Sequence, residues 1–136
     1  MKRIQVYCLL LVVLFTVSHC TTTMDSTLYY YTDQNNNVYK ISVSEVKYDP
    51  ISPEESSSGV YSGGEKAIVP ISEKTFKEIA LLAEALQTDT ISHIKHREMR
   101  TSILLTEKGG KDTSRAILRP SEKRTALENL LRDLVE

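Results

Sequence analysis

Lys66-Ala67-Ile68-Val69-Pro70-Ile71-Ser72-Glu73-Lys74-Thr75-Phe76-Lys77-Glu78-Ile79-Ala80-Leu81-Leu82-Ala83-Glu84-Ala85-Leu86-Gln87 changes its hydrophobic period part-way along. Lys66 to Ile71 is a short apolar run of the kind that forms a strand. Beyond Ser72, the residues Phe76, Ile79, Ala80, Ala83 and Leu86 fall on one helical face, with Lys74, Lys77, Glu78 and Glu84 mostly elsewhere. Ser72 is suited to N-cap this helix, because its hydroxyl can accept from an unpaired amide of the first turn. Glu73 favours the positive end of the helix dipole. The spacing therefore predicts a helix over Glu73–Gln87. Its apolar stripe has to be buried, and in so short a chain the natural cover is a sheet.

The strands of that sheet are expected on both sides. Upstream, Leu28-Tyr29-Tyr30-Tyr31-Thr32 and Val38-Tyr39-Lys40-Ile41-Ser42-Val43 flank the turn cluster Asp33-Gln34-Asn35-Asn36-Asn37 and read as a hairpin. Tyr39, Ile41 and Val43 alternate with Lys40, Ser42 and Ser44, giving one buried and one wet face. The tyrosines at 29 to 31 read as packing residues rather than a stacking platform. Val46-Lys47-Tyr48 reads as a short strand or as the end of the one before. Downstream, Met99–Thr106 and Thr113–Arg119 flank Gly109-Gly110, a pair able to supply the positive φ angles of a tight hairpin turn. With Lys108 opposite Lys111, Thr101 faces Leu118, Ile103 faces Ala116 and Leu105 faces Ser114 on the core side. Arg100 then opposes Arg119 on the other side, next to Arg115, an arrangement that calls for an acidic group or an anion between them. Pro120-Ser121-Glu122 opens a last helix striped by Leu127, Leu130, Leu131 and Leu134. The expected fold is α+β: a small, mainly antiparallel sheet of about five strands with two amphipathic helices packed on it, over residues 28–136.

Between the two halves runs Asp49-Pro50-Ile51-Ser52-Pro53-Glu54-Glu55, followed by Ser56-Ser57-Ser58-Gly59-Val60-Tyr61-Ser62-Gly63-Gly64. Two prolines hold the first part extended. The second part holds three of the chain's five glycines. A loop this long in a compact domain is usually functional or disordered. Ser58, Gly59, Tyr61, Gly63 and Gly64 are the candidate binding residues here, with Arg100, Arg115 and Arg119 as a candidate basic patch. The glycines also suit a purely structural role in tight turns or close backbone approach.

Met1-Lys2-Arg3 and the apolar run Ile4 to Val17 have the layout of a secretory signal, residues 1–19. The run is about 14 residues, short of the roughly 20 that span a bilayer. Val17-Ser18-His19-Cys20 resembles the bacterial lipoprotein box, although His19 departs from the small residue usual before the cysteine. The resemblance implies lipidation of Cys20 and attachment to a membrane surface through a tether, residues 20–27. Ordinary cleavage nearby, leaving a free exported protein, is the alternative. Either way the expected location is the bacterial cell envelope. Cys8 leaves with the signal, so the folded part holds neither a disulfide nor a thiolate metal site.

Without its first 19 residues the chain carries 15 basic against 18 acidic side chains, which argues against a nucleic-acid partner. The balance is uneven: residues 20–92 have 5 basic against 11 acidic groups, and residues 93–136 have 10 against 7. His93 and His96 are three apart, but they lack a third ligand and are flanked by Lys95 and Arg97, so no metal or cofactor is expected. No Gly-x-Ser-x-Gly elbow, P-loop or dinucleotide fingerprint is present. The expectation is a non-enzymatic binding protein whose partner is an envelope protein or glycan. The alternative is an enzyme inhibitor or immunity-type protein using the 56–64 loop. Ser58-Gly59-Val60-Tyr61 is similar to the Ser-Gly-x-x-Tyr element of bacterial lysozyme inhibitors, one residue shorter and outside that family's all-β pattern.

Overall fold

The computed structural model describes residues 26–136, so the expected signal, Cys20 and most of the tether lie outside the described residues. The strands are β1 (Thr27–Thr32), β2 (Val38–Ile41), β3 (Glu45–Asp49), β4 (Ala67–Pro70), β5 (His93–Ile94), β6 (Ser102–Lys108) and β7 (Lys111–Leu118). Two helices, α1 (Glu73–Thr88) and α2 (Glu122–Val135), complete the domain. The sheet runs β4-β3-β2-β1-β6-β7-β5 with every pairing antiparallel. The fold is thus the expected α+β arrangement, a mainly antiparallel sheet packed against two helices. The first four strands form a meander from the centre to one edge. From that edge α1 carries the chain to β5 at the opposite edge, and β6 returns beside β1.

Alternation along the strands sorts the two faces. Tyr29, Tyr31, Tyr39, Ile41, Val46, Leu104, Ala116 and Leu118 are buried against Ile79, Ala83 and Leu86 of α1 and Leu127 and Leu131 of α2. Each large side chain removed from water contributes roughly 1.5–3 kcal/mol. Ser72 accepts from Thr75 N at 3.1 Å and Ser121 from Arg124 N at 3.2 Å, so both helices start on serine caps. Gln87 Nε2 donates to Thr106 Oγ1, tying the end of α1 to β6. At the β4 edge, Ile71 N donates to Ser44 O. Pro70, one residue earlier, therefore turns its missing N–H outward and blunts the edge against further pairing.

Three expectations need correction. Seven strands form rather than about five, because Glu45–Asp49 is a separate strand and His93–Ile94 adds a short one at the edge. The chain reverses between Ser42 and Glu45, which puts Val43 in a turn at 36% exposure instead of in the core.

The third concerns the β6–β7 hairpin. Lys108 does oppose Lys111, with Gly109 and Gly110 at φ 57° and 77°. A bulge then intervenes: Thr106 pairs with Ser114, leaving Thr113 as the extra residue, its hydroxyl donating to Thr106 O at 3.1 Å. Beyond it the register is shifted by one. Ser102 pairs with Leu118, so Ser102, Leu104 and Thr106 face the core in place of Ile103 and Leu105, Thr101 is buried just before the strand, and Arg100 does not oppose Arg119. Arg100 sits instead in the turn before β6 at φ 65°.

A buried polar cluster fastens α2 to the sheet. Arg124, 4% exposed, donates from Nε to Glu128 Oε1 at 3.0 Å and from Nη1 to Arg100 O at 2.6 Å. The Tyr31 phenol donates to the same Glu128 oxygen at 2.5 Å. Burial, followed by the Glu128 carboxylate, pushes the Tyr31 phenol well above the ordinary tyrosine value. Ser102 Oγ is fully buried and close enough to that phenol to favour its ionised form, yet meets the geometry of no hydrogen bond.

Arg124→Leu is expected to cost about 3 kcal/mol, because it strands Glu128 and two backbone carbonyls. Adding Glu128→Leu should recover part of that loss in chemical denaturation; an additive further loss contradicts the coupling. Tyr31 and Tyr39 both have raised pKa values, Tyr39 chiefly by burial and then the Tyr48 phenol. Their contribution to stability is complete below about pH 10, where unfolded tyrosine stays neutral, and is lost as pH rises further. Tyrosinate absorbance should then rise in step with loss of circular dichroism, and smooth titration of both without unfolding would refute this.

Candidate functional site

Three segments meet at one end of the domain: the β1–β2 turn, the long loop after β3, and the last turns of α2. In the turn, Asp33 Oδ1 accepts from Asn35 N at 2.8 Å and Asn37 N at 2.9 Å, and Oδ2 accepts from Asn37 Nδ2 at 2.8 Å. Asn36 takes the left-handed conformation, φ 74°, which asparagine tolerates.

Asn37 is 4% exposed and joins the turn to both arms of the loop. Its Oδ1 accepts from Ile51 N at 3.1 Å and its Nδ2 donates to the Tyr61 hydroxyl at 3.0 Å. Gly63 closes the arrangement: its N–H donates to Ile51 O at 3.0 Å and its carbonyl accepts from the Tyr48 hydroxyl at 2.7 Å. A Cβ at Gly63 would fall 2.1 Å from Asn37 Oδ1 and 2.7 Å from Pro50 Cβ. Glycine is needed there for close approach. At Gly59 and Gly64 it is needed for φ angles of 69° and 99°.

Within the loop, Ser58 Oγ accepts from Tyr61 N at 3.3 Å and lies 2.9 Å from Ser56 Oγ, while Gly59 N donates to Ser56 O at 3.0 Å. The segment is thus a folded-back loop with its own turns. Tyr61, one of the candidate binding residues, is half-buried with its phenol turned in to Asn37. The side chain that stands free is Val60, 80% exposed.

Beneath the loop lies a cleft of about 610 Å³. Tyr39, Tyr48 and Tyr61 line it, with Asp33 and Asn37 from the turn, Glu65 and Lys66 from the loop's end, and Glu128, Arg132 and Glu136 from α2. The rings of Tyr39 and Tyr48 are 4.7 Å apart and tilted. The Tyr48 phenol is held above its ordinary value by burial, then by Tyr61 and Asp33. The cleft can therefore accept hydrogen bonds, stack a flat or aliphatic group on phenol rings, and host charge.

Of the candidate loop residues, Tyr61, Gly63 and Gly64 line this cleft, while Ser58 and Gly59 lie in the same loop outside its lining. The structure does not bring Arg100, Arg115 and Arg119 to the cleft. Arg115 is exposed on the outer sheet face opposite Leu105, and Arg119 follows β7 with its amide bonded to Ser92 O. Among the described residues, none of the three forms an ion pair. His93 meets Leu86 O at 2.8 Å, at the C-terminal end of α1, and no metal-ligand cluster occurs among the described residues.

Sequence reading missed Asn37, Tyr39, Tyr48, Glu128 and Arg132. The spacing of Asp33, Asn35 and Asn37 announced a side-chain-stabilised turn. Nothing local announced that α2 would end beside it.

Gly63→Ala should undock the loop from Asn37, costing on the order of 1–3 kcal/mol and exposing residues 51–64 to proteolysis at low protease. Unchanged cleavage and stability would show that the close approach is dispensable. Comparison with known proteins supplies no relative: no family model, no curated protein and no solved structure matches the chain.

Proposed function

We propose that this chain is an exported protein of the bacterial cell envelope, anchored by a lipid on Cys20, that binds another envelope component and catalyses no reaction. The partner is an envelope protein or a glycan, and the contact surface is the Pro50–Gly64 loop with the cleft it frames. The observation that carries this reading is the pinning of the loop. Its two arms are fastened to Asn37 and its closing glycine to Tyr48, while Val60 at the tip stays 80% exposed. A loop ordered before contact loses little entropy on binding, which is the requirement for a recognition element. Glycines alone would not distinguish a linker from a binding loop; the hydrogen bonds that consume Ser58, Tyr61 and Gly63 do.

The same feature favours one alternative, an inhibitor that inserts Val60 into an enzyme cleft. A rigid projecting loop with an apolar tip suits that task, and the similarity of Ser58-Gly59-Val60-Tyr61 to the lysozyme-inhibitor element points the same way. Inhibition of a muramidase by the purified protein would favour it, and inactivity across a panel of lysozymes would remove it.

Two variants test the main reading. Cys20→Ala should move the protein from the membrane fraction to the soluble envelope fraction; a wild-type protein already wholly soluble refutes the anchor. Val60→Asp should lower capture of the cross-linked envelope partner by about tenfold, the loss expected when an apolar anchor is removed from the centre of a contact. Its melting temperature should be unchanged, since the side chain touches little of the domain. Undiminished capture would place the contact elsewhere.

A further inference from the structure

We infer that the cleft under the loop binds an organic cation, an alkylammonium or guanidinium group such as the end of a lysine or arginine side chain. This rests on the proposal that the cleft and its loop form the recognition site, and it names the chemistry recognised there.

Three observations converge. The first is the aromatic wall. Tyr39, Tyr48 and Tyr61 line the cleft, and the negative face of a phenol ring attracts a cation within about 6 Å of its centre. The second is the charge left over. The Asp33 carboxylate is surrounded by N–H donors, Asn35 N, Asn37 N and Asn37 Nδ2, all neutral amides. Among the described residues no lysine or arginine pairs with it, and Arg97, which does reach this turn, donates to the Asp33 backbone carbonyl at 2.9 Å instead. The two basic groups at the rim are occupied elsewhere. Lys66 is 2.7 Å from Asp49, and Arg132, which donates to Asn129 Oδ1 at 2.6 Å, has its carboxylate partner Glu136 3.9 Å away.

The third observation is Tyr39 itself. Only 7% of it is exposed, it lines the cleft, and its ring lies 4.7 Å from that of Tyr48, the phenol toward which its hydroxyl can donate. A phenol that donates its one proton to a neighbour keeps its lone pairs as acceptors. Its free lone pairs suit an N–H donor. An N–H donor that is also cationic satisfies Tyr39, Asp33 and the ring faces at once. An anion would meet Asp33 and Glu65 unfavourably, and a neutral sugar would leave the carboxylate's charge unused.

The test uses the full chain and three probes of similar length: cadaverine, Nα-acetyl-lysinamide, and uncharged pentane-1,5-diol. Ring-proton NMR signals of Tyr39, Tyr48 and Tyr61 should shift with both amines and stay still with the diol. Apparent affinity should fall with added salt, because much of the attraction is Coulombic. A free-amine ligand would make cadaverine the tighter probe, and a side chain on a partner protein would make the lysinamide tighter. Asp33→Asn should weaken both amines by about tenfold, the change for losing one well-placed charge. Because that substitution also touches the turn, Tyr39→Phe serves as a second variant: it keeps the ring, leaves Asp33 alone and should weaken binding several-fold.

Equal response to the diol, indifference to salt, or no ring shift with either amine overturns the inference. If Val60→Asp abolishes partner capture while the amines fail to bind, the recognition site stands and its cationic chemistry falls. If the amines bind while capture ignores Val60, the site's ligand is identified and the proposed loop contact is what fails.

Discussion

The Arg124 guanidinium is the interaction on which the rest of the arrangement leans. A buried arginine is costly to desolvate and persists only when its N–H groups find acceptors. Here they come from four parts of the chain. Glu128 lies one turn on in α2, Arg100 O in the turn before β6, Leu118 O at the end of β7 at 3.4 Å, and Gln34 Oε1 in the β1–β2 turn at 3.5 Å. Tyr31, at the centre of the sheet, completes the set by donating to Glu128. The left-handed backbone at Arg100, which costs roughly 1 kcal/mol or more, is held by its carbonyl's bond to this group. The position of α2 follows, and with it the placement of Glu128, Arg132 and Glu136 along one wall of the cleft.

The opposite wall depends on a neutral counterpart, Asn37. One side chain serves Asp33, Ile51 and Tyr61, and its own amide is bonded to Asp33 as well. A long loop would otherwise carry a large entropy cost of ordering. Tying both arms to one buried amide confines that cost to folding, so a partner meets a surface already shaped. The cleft thus sits between two polar anchors, one charged and one neutral. Both belong to the domain's stability, and neither is consumed by a ligand.

How much of this could be read from the residues alone differs from element to element. The period change at Ser72 placed α1 to within a residue, since its capping and its stripe agree. The β6–β7 turn was equally legible from Gly109-Gly110. The register beyond it was not, because Thr113 adds one residue and strict alternation has no way to count a bulge. That single residue separated Arg100 from Arg119 and removed the premise of a basic patch. β5 was invisible because two residues carry no period, and its place is set by β7 alongside it. The loop was legible as a loop. That Tyr61 turns its phenol in to Asn37 and lines the cleft, leaving Val60 outside, was not. Tyr39 was read as a buried strand residue and Tyr48 only as part of a short strand, but a residue can fill a core with its ring and still bring its hydroxyl to a cleft.

The uneven charge along the chain acquires its meaning from the same arrangement. An acidic first half and a basic second half could cancel on packing, but only Lys123–Asp89 pairs across them among the described ion pairs; Lys47–Glu45, Lys66–Asp49 and Lys77–Glu73 stay in the first half, and Arg124–Glu128 and Arg132–Glu136 in the second. The asymmetry therefore survives folding instead of being neutralised pair by pair. Its acidic part includes Asp33 and Glu65 at the cleft, where Arg124 cannot compensate because its charge is already committed to Glu128. Where two opposite charges are pinned by separate networks, the space between them keeps the field of whichever group faces it. At this end of the domain the cleft lining includes Asp33 and Glu65, and the faces of the tyrosine rings beside them carry partial charge of the same sign.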